Sequence, residues 1–259
     1  MKLFKILSIV LSSTFSLNVF AGGGFTWASS LINSLHLPIE EYVLTFVITS
    51  SILLIVAFLY RSSLSAVSNS VVPDKGITVR NVVESYGQFI YNQCKTVIGE
   101  KEGPEYFSFV ATIFLVILVN NLIGLIPGFL PPTDKVNTTL ALGVFSFIFY
   151  NYVGCKKLGV VNYLKHFAGP LWYMAILIFP IEIISNFVRP VSLALRLRGN
   201  MYGDHLVLSV FSDMAPLLVP IVFMILGILV SFIQAYVFTA LSMVYISLAS
   251  AHHDHDEHH

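Results

Sequence analysis

Five stretches of this chain, near residues 42–60, 107–126, 138–153, 168–211 and 216–250, are strongly apolar, and of these only 168–211 carries charges. Inside a bilayer no water is available to the backbone, so each stretch must satisfy its own N–H and C=O groups as a helix. With 56% apolar and 11% charged residues and a mean hydropathy of +0.81, the chain reads as an all-α polytopic membrane protein, not a soluble domain. Formal net charge is zero and no basic block is present, so nucleic-acid binding has no electrostatic footprint. Cys94 and Cys155 are lone, distant thiols, read as packing residues; neither a disulfide nor a metal site is expected from them.

The start of the chain reads as a secretory signal over residues 1–21. Lys2 and Lys5 precede an apolar stretch diluted by serines, and Val19-Phe20-Ala21 stands before Gly22-Gly23-Gly24. Small residues there match a cleavage site; an uncleaved anchor is the alternative. The segment has no arginine, which argues against a mitochondrial presequence and for a bacterial inner membrane. Residues 22–250 are then a single membrane domain. Residues 251–259 form a His/Asp-rich tail, read as a solvated cytoplasmic segment, with metal binding as the alternative.

Charge asymmetry gives the orientation. Loops 61–106 and 154–167 hold Arg61, Lys75, Arg80, Lys95, Lys101, Lys156, Lys157 and Lys165, whereas the opposite loops hold only Lys135. By the positive-inside rule the former are cytoplasmic, the mature N-terminus periplasmic and the C-terminus cytoplasmic. Within 78–98, Val82, Val83, Tyr86, Phe89, Ile90 and Val97 have helical spacing, which suggests an amphipathic helix on the membrane surface. Splitting 168–211 into two spans would put Arg189, Arg196 and Arg198 in an outside loop and reverse the C-terminus. One long helix avoids both. At 1.5 Å per residue, 168–211 would reach about 66 Å and 216–250 about 53 Å, against a hydrocarbon core of ~30 Å. Both must tilt or kink, and Pro180 and Pro190 offer kink points.

Arg196 is the costliest residue in this sequence. Arginine stays protonated at any accessible pH, and at bilayer depth it costs roughly 2.5–3.5 kcal/mol on insertion scales. Glu182, Ser185, Arg189, Ser192, Asn200 and Gly203 all fall within about 40° of the Arg196 direction on a helical wheel. For Ser185 and Ser192 alone, a polar seam against a neighbouring helix is sufficient. Glu182 together with Arg196 points to an ion path. A hairpin turning near Ala215-Pro216 sets Gln234, with Ser231 and Gly227 on its face, opposite Arg196, where the amide carbonyl can hold the guanidinium without neutralising it. His205 lies half a turn from that stripe, beside Asp204. It is either a packing residue or, since imidazole titrates near neutrality, a point of proton uptake.

Arg189-Pro190-Val191-Ser192-Leu193 through Arg196-Leu197-Arg198-Gly199-Asn200-Met201-Tyr202 resembles the hallmark segment of subunit a of F-type ATP synthases. Asn121-Leu122-Ile123-Gly124-Leu125-Ile126-Pro127, Val136-Asn137-Thr138-Thr139-Leu140-Ala141-Leu142 and Gln234-Ala235-Tyr236-Val237-Phe238 with Tyr245-Ile246 look like its other signatures, in order. The resemblance implies a stator whose long, steeply tilted antiparallel hairpin borders a ring of c subunits. Its further partners would be the b subunits of the peripheral stalk and, through the assembled complex, the soluble catalytic head. Arg196 would face each ring carboxylate in turn. Glu182 aligns with the acid of the cytoplasmic half-channel, Asn121, Asn200 and His205 with polar groups of the external one, and Gln234 with the arginine's supporting glutamine.

Two positions depart from the pattern: Arg198 replaces an apolar or small residue, and Gly227 stands where a titratable partner of the His205 position is common. Asp204 and Asp213 are the acids close to His205 in sequence, and ordered water over Gly227 is the other possible relay.

No cofactor is expected. The sequence lacks G-x-x-x-x-G-K-[ST], so the chain reads as a non-catalytic channel subunit. A lone secondary transporter would carry internal repeats, and none is present. A signalling or assembly factor would leave the buried charges unexplained.

Overall fold

The structure, a computed structural model, describes residues 26–36, 38–65, 76, 78–126, 128–160, 163, 175–214 and 218–250. The signal segment, the beginning of the 168–211 span and the His/Asp-rich tail lie outside them. Among these residues seven α-helices follow in order: α1 (Trp27–Leu35), α2 (Glu41–Ser65), α3 (Val79–Val97), α4 (Gly103–Leu122), α5 (Val136–Leu158), α6 (Ala175–Met214) and α7 (Leu218–Ser250), with 3₁₀ turns at Ile123–Leu125 and Pro132–Asp134. No strand occurs among the described residues. Five helices, α2 and α4 to α7, are long and apolar enough to cross a membrane.

The chain is a polytopic all-α membrane protein whose core lies where α4, α5, α6 and α7 meet. Val110, Phe114 and Ile117 of α4, Leu197 of α6 and Phe238 and Ile246 of α7 are almost completely buried there. Apolar burial is no driving force between helices in lipid, so close approach and buried hydrogen bonds carry the association. Ser146 Oγ and Ser242 Oγ join α5 to α7 at 2.9 Å. Thr49 Oγ1 donates to Asn120 Oδ1 at 2.8 Å, tying α2 to α4. At the end of the bundle where α5 stops, Lys157 pairs with Glu102, and Lys156 lies 3.8 Å from Glu105.

α3 is the amphipathic element. It buries Ile90 and Cys94 against α4, and its Tyr86 hydroxyl donates to the Ala111 carbonyl at 2.6 Å. Burial pushes the Cys94 thiol up to about 11, which suits an inert packing residue. Val79 and Val82 stay exposed on the same helix.

Pro190 shapes α6. Having no N–H, it leaves the carbonyl four residues earlier, that of Asn186, without its helical donor. Tyr150 of α5 supplies one, its hydroxyl lying 3.4 Å from the Asn186 carbonyl and 2.7 Å from Asn186 Oδ1. The Pro190 carbonyl in turn sits against Gly143: a Cβ at 143 would come within 2.6 Å of that oxygen. Backbone cannot yield as a side chain can. Gly143→Val should therefore prise α5 from α6 and destabilise the solubilised protein by about 1–3 kcal/mol, read as a lowered melting temperature. An unchanged melting temperature would mean that α6 moves freely at this contact.

Candidate functional site

Arg189 lies over the Tyr245 ring at 5.1 Å, Asn200 Nδ2 donates to Gln234 Oε1 at 2.5 Å, and the Phe211 and Phe223 rings are 5.2 Å apart. Each pair is centred on residue 217, so α6 and α7 face each other antiparallel over most of their length. That register corrects the one expected from a turn at Ala215-Pro216. Asn200, not Arg196, faces Gln234, because the pairs are centred about two residues further along and every partner moves by roughly one helical turn. Gln234 is buried with its carbonyl occupied by Asn200, and its Nε2 has no hydrogen-bond partner.

Arg196 itself is exposed and makes no hydrogen bond or ion pair among the described residues. Its neighbours on the outward side of α6 are large and apolar: Ile181, Ile184, Val188, Val191 and Leu195 are all exposed. Ser185 and Ser192 are exposed too, so among the described residues they form no seam against another helix. The polar stripe runs down an open face.

In the N-terminal half of α6, Glu182 Oε1 lies 3.6 Å from Arg189 Nη2, with both side chains partly exposed. Beside them runs a buried polar chain. Tyr150 binds Asn186, Asn186 Nδ2 donates to Asn151 Oδ1 at 3.1 Å, and the Tyr163 hydroxyl donates to the same oxygen at 2.8 Å. Sequence reasoning missed this network. Asn186 falls about 80° off the Arg196 stripe, and its partners come from a helix whose pairing cannot be read from period alone.

The C-terminal half of α6 differs. Asn121 (both amide atoms), Thr133 Oγ1, Asp134 Oδ1, Asp204 Oδ2, Ser231 Oγ and Gln234 Nε2 are buried without a hydrogen-bond partner. They come from the end of α4, the Pro132–Asp134 turn, α6 and α7, each of which packs on two of the others. Buried polar atoms are nearly always paired within a protein or with water, so their gathering in one region marks a polar interior, not a packed core. Asn120, next to Asn121, is by contrast fully engaged.

His205 is partly buried, and the turn that packs on its helix carries Asp134, an acid not singled out in the sequence. Asp204 lies about 100° further round α6. The side chain of Asp213 is outside the described ones. Gly227 leaves no opening: a Cβ there would lie 2.6 Å from Leu125 Cδ2, so Leu125 fills the space assigned to water. The glycine is a close-packing contact between α7 and the end of α4.

This arrangement joins a cation on an open apolar face to polar interiors at both ends of α6. The sequence signature of the family described as "ATP synthase A chain" matches residues 43–247, from α2 to near the end of α7. The chain is 49% identical, over 195 residues, to an ATP synthase subunit a of Bdellovibrio bacteriovorus, covering 75% of this chain and 84% of that one. It is 48% identical over 202 residues to an ATP synthase subunit a of Geobacter sulfurreducens, covering 77% and 84% respectively. An ATP synthase subunit a 1 of Syntrophotalea carbinolica is 44% identical over 230 residues, or 88% of this chain and 94% of the relative. Matched across all five membrane-crossing helices, the chain belongs to the ATP synthase A chain family.

Proposed function

We propose that this chain is the proton-translocating stator subunit of an F-type ATP synthase, with Arg196 as its essential cation between two offset half-channels. The observation that carries the reading is Arg196: a permanent charge on a membrane-crossing helix, exposed among apolar residues, with no ion-pair partner among the described residues. Its stabilising partner must come from another molecule, and a ring of c subunits presenting carboxylates supplies one. Beside that cation a passing carboxylate is favoured in its ionised form and releases its proton. The same cation repels protons that would leak directly from one half-channel to the other.

The orphaned polar atoms around Asn121, Asp204 and Gln234 support an external half-channel; Glu182 with Arg189, next to the Tyr150–Asn186–Asn151 chain, supports the cytoplasmic one. Asn200 bridges to Gln234, and Ser185 lies between Glu182 and Arg196 on the open face. Each proton crossing 100 mV releases about 2.3 kcal/mol, which rotation of the ring couples to ATP synthesis in the soluble head. The chain itself is non-catalytic. It sits in a bacterial inner membrane beside b subunits of the peripheral stalk, its C-terminus cytoplasmic. Purification through a tag on this chain tests the reading: a c ring and a soluble ATPase head should come with it. Recovery of the chain alone, still conducting protons, would replace the stator with an independent channel.

A further inference from the structure

We infer that Asp134 is the acid that works with His205 in collecting protons from the external side, and that Arg198 holds it in place. The inference rests on the proton-translocating reading above and adds to it a residue from a loop. Arg198 and His205 are seven residues apart, so they share one face of α6, two turns apart, on the side turned away from Arg196. The Pro132–Asp134 turn packs against α6. Arg198 Nε donates to the Asp134 backbone carbonyl at 3.3 Å, so the guanidinium fastens the loop by its backbone. No ion pair engages the Asp134 carboxylate among the described residues, and its Oδ1 is buried without a hydrogen-bond partner. The turn that carries it lies against the helix of His205, pinned there on the His205 face by Arg198.

The groups around this pair complete the case. Thr133 is fully buried with its hydroxyl unpartnered, and Asp204 keeps one carboxylate oxygen buried and unpartnered. From α7 the region receives Ser231 and Gln234, which do not titrate, while Leu125 closes the space over Gly227. Asp134 is therefore the acid that another element brings to His205. A proton from external water passes to the carboxylate–imidazole pair and is handed inward, with no bond made or broken besides those to hydrogen.

The test uses inverted vesicles carrying the whole complex, with assembly checked by the amount of ATPase head bound. Proton-driven ATP synthesis is measured for Asp134→Asn, Asp134→Glu, His205→Ala, the double variant Asp134→Asn/His205→Ala, Arg198→Leu and Asp204→Asn. Asp134→Asn should slow synthesis about tenfold or more, and glutamate should restore most of it. The asparagine should add nothing further to His205→Ala, since two groups acting as one unit are non-additive. Arg198→Leu should fall between, because it loosens the loop but keeps the acid. Full activity in Asp134→Asn overturns the inference. So does equal damage by asparagine and glutamate that adds to the loss in His205→Ala, which marks a loop needed only for structure. Loss in Asp204→Asn with none in Asp134→Asn moves the role to Asp204. Arg196→Ala separates the levels: if it abolishes synthesis while Asp134→Asn does not, only the Asp134 assignment falls; if it leaves synthesis intact, the proton-translocating reading falls.

Discussion

Arg196→Ala should abolish proton-driven ATP synthesis while the chain still inserts and the complex still assembles. Insertion becomes easier by roughly 2.5–3.5 kcal/mol once the charge is gone, and Arg196 is exposed, with no hydrogen bond or ion pair among the described residues. Its task is electrostatic. At about 4 Å and an effective dielectric of ~20, a unit cation favours the ionised form of a carboxylate by about 4 kcal/mol, or roughly a thousandfold. Without it a ring carboxylate keeps its proton as it passes, and the barrier between the half-channels is lost. Arg196→Lys should fail as well. Lysine is a compact, strongly hydrated point charge that gives up its proton in apolar surroundings, and it lacks the planar fork that can follow a carboxylate across a moving surface. The measurement is ATP synthesis by energised vesicles at matched levels of complex. Rates near the unsubstituted protein for either variant would remove Arg196 from the mechanism.

Glu182→Ala should lower the same activity by about tenfold or more, with Glu182→Asp recovering part of it, because a positioned proton-transfer group contributes on this scale or above it. The alanine removes the carboxylate 3.6 Å from Arg189 and leaves that guanidinium on the Tyr245 face alone. Glu182 and His205 are 14 and 9 residues from Arg196, or roughly 21 and 14 Å along α6 in opposite directions. Single cysteines at 182 and 205 should then react with impermeant thiol reagents from the cytoplasmic and external sides respectively. Both labelling from one side would replace two offset half-channels with one continuous path. Cys94, buried against α4, should stay unlabelled in either orientation of the vesicles.

Most of the site's inventory was legible from periodicity. The spacing of Glu182, Ser185, Ser192, Arg196 and Asn200 puts them on one face of one helix whatever surrounds it, because 3.6 residues per turn is a property of the backbone. What faces that stripe was not legible. A turn moved by two residues changes every partner across a hairpin by about one turn, and so Gln234 meets Asn200 instead of Arg196. Gly227 read as room for water because a missing side chain says nothing about its neighbours; Leu125, from a different helix end, occupies the place. Asp134 drew no notice in a loop of prolines, and Arg198 stood out only as a departure. Neither could be connected to His205 until the loop was seen lying on α6.

The sequence by itself determined that the chain is helical and membrane-spanning, since apolar runs in lipid leave the backbone no other way to pair its polar groups. It determined too that an unneutralised arginine stands on a polar stripe, since the helical period and a guanidinium's permanent charge are local properties. Only the tertiary structure decided which polar groups meet: Asn200 with Gln234, Tyr150 with the carbonyl freed by Pro190, Arg198 with the Asp134 carbonyl. Those meetings depend on register and close approach between helices far apart in the chain. Residue patterns constrain such contacts weakly in a membrane, where most of the side chains that separate them are equally at home in lipid.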